Sequence, residues 1–339
     1  MTDVRTVDEA TAPAGTEERA PSSSRWWVLA AVLLVAIALP FARFLGSYNY
    51  VLQLGMIVLM WIALASSWNI LGGYTGYISL GHNVFFGVGG YVAGMLLIEL
   101  GWSPFLTAPL AGLVAMALGI VAGLITYRAH GTSFIISTVA LLLVVSLLMD
   151  NWSYLGGSNG MSLPLPGFDP GWLKVPFYYA MLAAAIGAVI LGYRVQHSKF
   201  GLALRAIASD EVKAEMAGIN TRLYKVMAFS ISAFFPGVVG ALWGYNLSYL
   251  RPVIFLIISV AARMVLMSIV GGRGTVAGPV IGAILIIAID EASVSFLGAS
   301  ELNLAVTGLL LVVTLLFFPQ GIVGTLRERN RLPAWLDWD

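Results

Sequence analysis

The chain has 339 residues, 59% hydrophobic and 10% charged, with a mean hydropathy of +0.89 and a formal net charge of +1. Soluble domains carry about 25% charged residues, so an ordinary water-soluble fold is excluded, and a net charge near zero offers no basic field to nucleic acid. With no cysteine it can form no disulfide, thiolate nucleophile or Cys-ligated metal site. The composition points to an all-α, polytopic transmembrane protein.

Residues 1–25 are polar and rich in Ala, Pro, Ser and Thr, a leader expected to be disordered. A secretory signal would set a short basic region directly before its apolar core. Here a long acidic leader precedes a full-length apolar block, so an uncleaved first span is expected. A membrane helix needs about 20 mainly apolar residues, and about ten blocks qualify. They are residues 26–45, 51–71, 78–100, 104–126, 132–149 and 175–193, then 224–247, 252–270, 276–296 and 302–318. Trp26 and Trp27 stand where interfacial anchors belong, and glycines interrupt the third block. The membrane domain is set at residues 26–324, with 325–339 as a tail.

Between the sixth and seventh blocks lies the largest polar island, residues 198–225, SKFGLALRAIASDEVKAEMAGINTRLYK. Lys199, Arg205, Lys213, Arg222 and Lys225 outnumber Asp210, Glu211 and Glu215 there. Basic residues in short loops mark the cytoplasmic side. Alternation across ten spans then puts Arg128, Arg273 and the Arg327–Arg329–Arg331 tail on the same side, with both termini. The 150–174 loop and the loop bearing Asp290, Glu291 and Glu301 fall outside, while Arg43 and Arg251 are exceptions. No G-x-x-x-x-G-K-[ST] motif is present, so any ATPase that drives this chain is another polypeptide. The island is read as the surface on which such a soluble motor would dock.

Residues 72–97, GGYTGYISLGHNVFFGVGGYVAGMLL, combine eight glycines with Ser79, His82 and Asn83. Small residues let helices pack closely, and broken helices can present backbone groups to a substrate. Both readings stand, the first with His82 hydrogen-bonded in a helix interface. Residues 271–282, GGRGTVAGPVIG, read either as a tight turn or as a flexible connection near the motor. Arg263, near the middle of the eighth block, costs at least about 2.5–3.5 kcal/mol to insert. It must face a cavity, a partner chain or an anion, or snorkel from a displaced span; Asp290 and Glu291 reach it only if the helices bend or shift. Three prolines and five glycines in the 150–174 loop argue against regular structure. His82, His130 and His197 show no metal-binding spacing, and no cofactor is expected.

In order, these motifs resemble the permease subunits of ABC importers for branched-chain amino acids, of the LivM type. Residues 76–91 are similar to that family's G-x-x-S-L-G-H-x-x-F-F-G-x-G-A-Y, with Gly90 for the usual Ala. Residues 156–160, GGSNG, follow Leu155 in place of a Thr, and residues 271–275 resemble G-G-x-G-T. The island resembles the family's coupling segment, although Leu202 and Ala208 replace arginines and Lys213 replaces a small residue. Pro236 and Arg263 are further departures.

The resemblance implies an ABC importer permease fold in the bacterial inner membrane. It also implies a homologous second permease subunit, two cytoplasmic ABC ATPases, a periplasmic or lipid-anchored substrate-binding protein and surrounding lipids, with no nucleic acid. The implied ATPase-coupling residues are Gly201, Arg205, Glu211, Ala214, Glu215, Gly218 and Lys225. Ser79, Gly81, His82, Phe86, Gly89, Tyr91 and Arg263 are expected near the translocation pathway. The expected cargo is a branched-chain or other hydrophobic amino acid, with no covalent catalysis by this chain. Urea or short amides are the alternative cargo within the family, and an ion-coupled secondary carrier is the alternative class.

Overall fold

In a lipid core each backbone N–H and C=O must find a partner within the protein, and a helix supplies those partners locally. The apolar blocks accordingly fold mainly as helices where their residues are described. The computed structural model describes residues 24–41, 48–169, 172–297, 308–309, 321–328 and 338.

The order is α1 Ser24–Ala38, α2 Tyr48–Gly72, α3 Asn83–Leu100, α4 Pro104–Thr126, α5 Thr132–Asn151 and α6 Lys174–Gln196. The polar island forms α7 Lys199–Ser209 and α8 Glu211–Met216. Then come α9 Thr221–Leu247, α10 Pro252–Phe255, α11 Ile258–Gly272, α12 Ala277–Leu297 and α13 Gly321–Glu328. Among the described residues, eight segments are long and apolar enough to cross a membrane, counting α10 and α11 as one. The tenth expected block, residues 302–318, lies almost wholly outside the described residues.

Three boundaries differ from the sequence expectation. The first block stops being α-helical at Ala38 and closes in a 3-10 turn, Leu39–Phe41, around Pro40. Proline removes a helix donor and disfavours helical backbone in the residue before it. The third block is helical only from Asn83; residues 73–82 form an irregular segment after α2. The eighth is broken at Leu256 and Ile257, between α10 and α11.

The 150–174 loop is also more regular than its prolines and glycines imply. Two 3-10 turns lead into β1, Met161–Ser162, which pairs antiparallel with β2, Tyr249–Leu250. Arg251 Nε donates to the carbonyl of Ser158 at 3.2 Å, and Tyr249 Oη donates to that of Asn159. Gly156, Gly157 and Gly160 all have positive φ, and a Cβ at Gly160 would lie 2.4 Å from the Leu250 carbonyl. Glycine therefore permits both the turn and its approach to β2.

The centre of the bundle is α9, packed against α2, α3, α4 and α6. Lipid supplies little drive for helix association, so close packing has to supply it. A Cβ at Gly240 of α9 would stand 1.9 Å from the Phe86 carbonyl of α3. A Cβ at Gly282 of α12 would stand 1.8 Å from the Met267 carbonyl of α11.

The connections sort into two ends. One gathers the α4–α5 turn, α7, α8, the start of α9, the α11–α12 turn and α13. It holds Arg128, His130, Arg205, Lys213, Arg222, Lys225, Arg273 and Arg327, and Arg222 lies over the Tyr127 ring at 4.4 Å. At the other end Tyr154 Oη donates to Glu99 at 3.1 Å, Lys174 to the Asn49 carbonyl at 3.3 Å, and Tyr50 to Glu291. The loops that share basic charge in the sequence thus share one end of the bundle.

Candidate coupling site and the irregular segment beneath it

The island opens on a capped helix. Ser198 is the N-cap of α7 and accepts from the Gly201 amide at 3.2 Å. Gly201 sits where α6 turns into α7, and a Cβ there would lie 2.1 Å from the Val195 carbonyl. Arg205 Nη2 reaches back across the corner to the Gln196 carbonyl at 2.9 Å. Asp210 then caps α8, accepting from the Lys213 amide at 3.1 Å. That backbone hydrogen bond, with the Lys213 side chain, holds the Asp210 carboxyl below its ordinary pKa.

Ala214 is buried beneath α8, while Val212 and Met216 are 61% and 83% exposed. Glu215 accepts from Thr221 Oγ1 at 2.5 Å, tying the end of α8 to the start of α9. The turn between them passes through Gly218 at φ +85, with no atom within 4 Å of an added Cβ among the described residues. Backbone conformation, rather than space, requires glycine there.

Glu211 is the branch point. One carboxylate oxygen accepts from Lys225 Nζ of α9 at 2.7 Å, and the other accepts from Tyr77 Oη in the irregular segment. His130 Nε2 of the α4–α5 turn lies 3.5 Å from the second oxygen. The Lys225 and Glu211 side chains are 6% and 16% exposed, and Lys225 Nζ also lies 4.7 Å above the Tyr77 ring. Burial pushes Glu211 upward, but hydrogen bonds from Lys225 and Tyr77 and the charge of Lys225 leave its pKa below the ordinary value. Burial raises the Tyr77 pKa, and the hydrogen bond to Glu211 raises it further.

The expected pathway residues lie deeper. Ser79 and His82 are fully buried, Phe86 and Tyr91 nearly so, and Gly81 and Gly89 lie against backbone carbonyls of Thr138 and Gly237. The irregular segment is held by side chains. Trp68 Nε1 donates to the Ser79 carbonyl at 2.8 Å, and the Leu80 amide donates to Thr138 Oγ1 at 3.1 Å.

His82 has a specific task. Its Nε2 lies 3.3 Å from the Ser232 carbonyl, an acceptor only, so Nε2 carries the proton. In α9 the donor that normally reaches that carbonyl is the amide four residues on, and residue 236 is a proline. His82 supplies the donor that Pro236 lacks. Asn83 acts similarly at the break in the eighth block, donating to the carbonyls of Phe255 and Ile257 at 3.1 and 2.9 Å.

Arg263 stands apart from this set. Its Nη1 pairs with Asp290 of α12 at 3.1 Å, and its guanidinium lies 5.6 Å from the Trp61 ring centroid.

Tyr77, His130, Asn69, Trp68 and Thr138 were not singled out by sequence. Asn69 anchors the GGRGT turn: its Oδ1 accepts from the Gly274 amide at 2.9 Å and Ser268 Oγ at 3.1 Å, and its Nδ2 donates to the Thr275 carbonyl at 2.8 Å. An asparagine inside an apolar run has no local signature for that role. Among the described residues no group of His, Cys, Asp or Glu could hold a metal ion.

The sequence model of the family described as branched-chain amino acid transport system / permease component matches residues 47–315. The chain is 26% identical over 331 residues to the high-affinity branched-chain amino acid transport system permease protein LivM of Escherichia coli K12, covering 90% of this chain and 76% of that protein. It is 27% identical to LivH of the same strain, covering 77% and 90%. It is 30% identical to the probable branched-chain amino acid transport permease protein LivH of Methanocaldococcus jannaschii, covering 70% and 80%. No solved structure gives a significant match.

Proposed function

We propose a role from one premise: this chain belongs to the branched-chain amino acid transport system permease family, as a membrane-embedded permease subunit of an ABC importer and not an enzyme. In the reading we favour, it is half of an alternating-access pathway for a hydrophobic, branched-chain type of amino acid. A homologous permease supplies the other half, separate ATPases at the basic, cytoplasmic end supply the work, and an external binding protein delivers the substrate. The Ser79–Tyr91 region stands beside that pathway as its scaffold, with Arg263 on a separate wall.

The observation that carries this reading is the form of α8. Val212 and Met216 are exposed on a polar end of the bundle, above a buried Ala214. Exposed apolar groups ringed by charge are what a protein partner covers. A short helix seated in a groove of an ATPase converts nucleotide-driven closure into a push on the bundle.

An ion-coupled carrier needs a membrane carboxylate that can take the ion. The Arg263–Asp290 pair gives that reading less support. Uptake that persists after the ATPase subunits are deleted would favour the carrier.

The test is uptake of labelled leucine into proteoliposomes holding the whole transporter, with binding protein outside. Gly218→Trp is expected to insert normally and to abolish ATP-driven uptake. Uptake at the unmodified rate would remove the coupling assignment.

A further inference from the structure

The contacts of the island are of two kinds. Some close within it: Asp210 with Lys213, Glu215 with Thr221, Ser198 with Gly201. Glu211 instead reaches Tyr77, 134 positions away, and His130 on a third element.

Tyr77 in turn belongs to a segment with little slack. Its ring meets Phe134 of α5 edge-on at 5.0 Å. The next residues are held by Trp68 and Thr138, and His82 and Asn83 then grip α9 and the α10–α11 break. A displacement of α8 that keeps the Glu211 contacts must therefore displace residues 77–82, and with them the start of α3.

We propose that Tyr77, Glu211 and Lys225 form a strut that carries the motion of α8 to the irregular segment and the start of α3. This rests on the reading of α8 as the ATPase handle. Tyr77 is a positioning residue here: its hydroxyl joins the handle to the segment, while its ring packs on Phe134 and beneath Lys225. Lys225 keeps the Glu211 carboxylate ionised and aimed between α9 and the segment. Loss of the strut leaves a handle that still binds the motor but no longer moves α3.

The test uses the whole transporter in proteoliposomes, reading ATP hydrolysis, solute uptake and co-purification of the ATPases together. Tyr77→Phe removes one oxygen and retains the ring contacts, so the fold is preserved. It is expected to retain ATPase binding and hydrolysis while uptake falls about tenfold, raising ATP consumed per solute about tenfold. A merely structural loss would lower both activities in proportion.

The chain has no cysteine of its own, so a Tyr77→Cys, Glu211→Cys pair can be joined selectively by a short, reducible bifunctional thiol reagent. The cross-link is expected to restore uptake per ATP, and reduction to remove it again. An unchanged ratio in Tyr77→Phe, or a cross-link that blocks transport, would overturn the strut.

Met216→Glu in the same preparation separates the two readings. If it releases the ATPases while Tyr77→Phe leaves the ratio unchanged, only the strut fails. If Met216→Glu and Gly218→Trp both leave ATPase binding and uptake intact, the handle itself fails and the strut with it.

Discussion

The island at residues 198–225 and the glycine-rich stretch at residues 72–97 are both polar interruptions of an apolar chain, and they use polarity in opposite ways. In the stretch, Ser79, His82 and Asn83 are buried, and the donors of His82 and Asn83 are spent on carbonyls left open by Pro236 within α9 and by the break between α10 and α11. In the island, Val212 and Met216 face outward and Glu211 gathers charged and hydroxyl groups from separate elements. One region makes an irregular backbone tolerable inside the membrane, and the other presents a surface while remaining tethered. Glycine divides in the same way, between close approach in the bundle and a left-handed turn at Gly218.

That contrast can be broken most sharply at glycine. In Gly240→Leu a side chain must enter where even a Cβ would be 1.9 Å from the Phe86 carbonyl, so α3 and α9 separate and no monodisperse protein is expected on size exclusion. Gly218→Ala meets open space and is expected to cost only about 1–2 kcal/mol, the penalty of a left-handed residue. Equal losses in the two variants would erase the distinction between packing and turn glycines.

Next in size is the ion pair between buried Lys225 and partly buried Glu211. Lys225→Met leaves Glu211 without its ammonium partner, and a loss of about 3–5 kcal/mol is expected in thermal or denaturant unfolding in detergent. Lys213→Met, at an exposed pair on the same helix, is expected to leave the midpoint unchanged. A similar shift in both would mean that the Glu211 contacts carry no more than surface charge does.

A smaller effect tests the interior. His82→Phe is expected to destabilise the protein in the presence of Pro236 and to be nearly neutral when combined with Pro236→Ala, whose amide reaches the Ser232 carbonyl. The coupling expected from a double-mutant cycle is about 0.5–1.5 kcal/mol. Additive losses would show that His82 acts through packing alone.

The smallest effect is in pH. The Glu211 pKa is lowered in the folded chain, so its stabilisation is present above its ordinary value of 4.5 and is lost as pH falls through the lowered one. Tyr77 is shifted upward, so its contribution is complete below 10 and is lost as pH rises through the raised value. Glu211→Gln should flatten the acid limb of a melting-temperature profile; an unchanged limb would place the acid sensitivity elsewhere.

Eight of the ten expected apolar blocks form membrane-length segments among the described residues, and they were legible because bilayer length and backbone satisfaction are properties of consecutive residues. The island was legible for the same reason, as was the grouping of basic loops. Breaks inside blocks were less so: the glycines of residues 72–97 announced irregularity without saying that the helix starts at Asn83. Leu256 and Ile257, where the eighth block breaks, look no different from span residues.

By itself, then, the sequence determined a helical membrane protein, the polar surface between its sixth and seventh apolar blocks and the end of the bundle where its basic loops gather. Tertiary structure decided what the polar residues are for: Glu211 holds Tyr77, Asn69 holds the turn at Gly274 and Thr275, and His82 serves a carbonyl beside Pro236. Hydropathy is summed residue by residue along the chain, whereas a hydrogen bond in a low-dielectric interior needs one particular partner, and here those partners lie more than a hundred positions away.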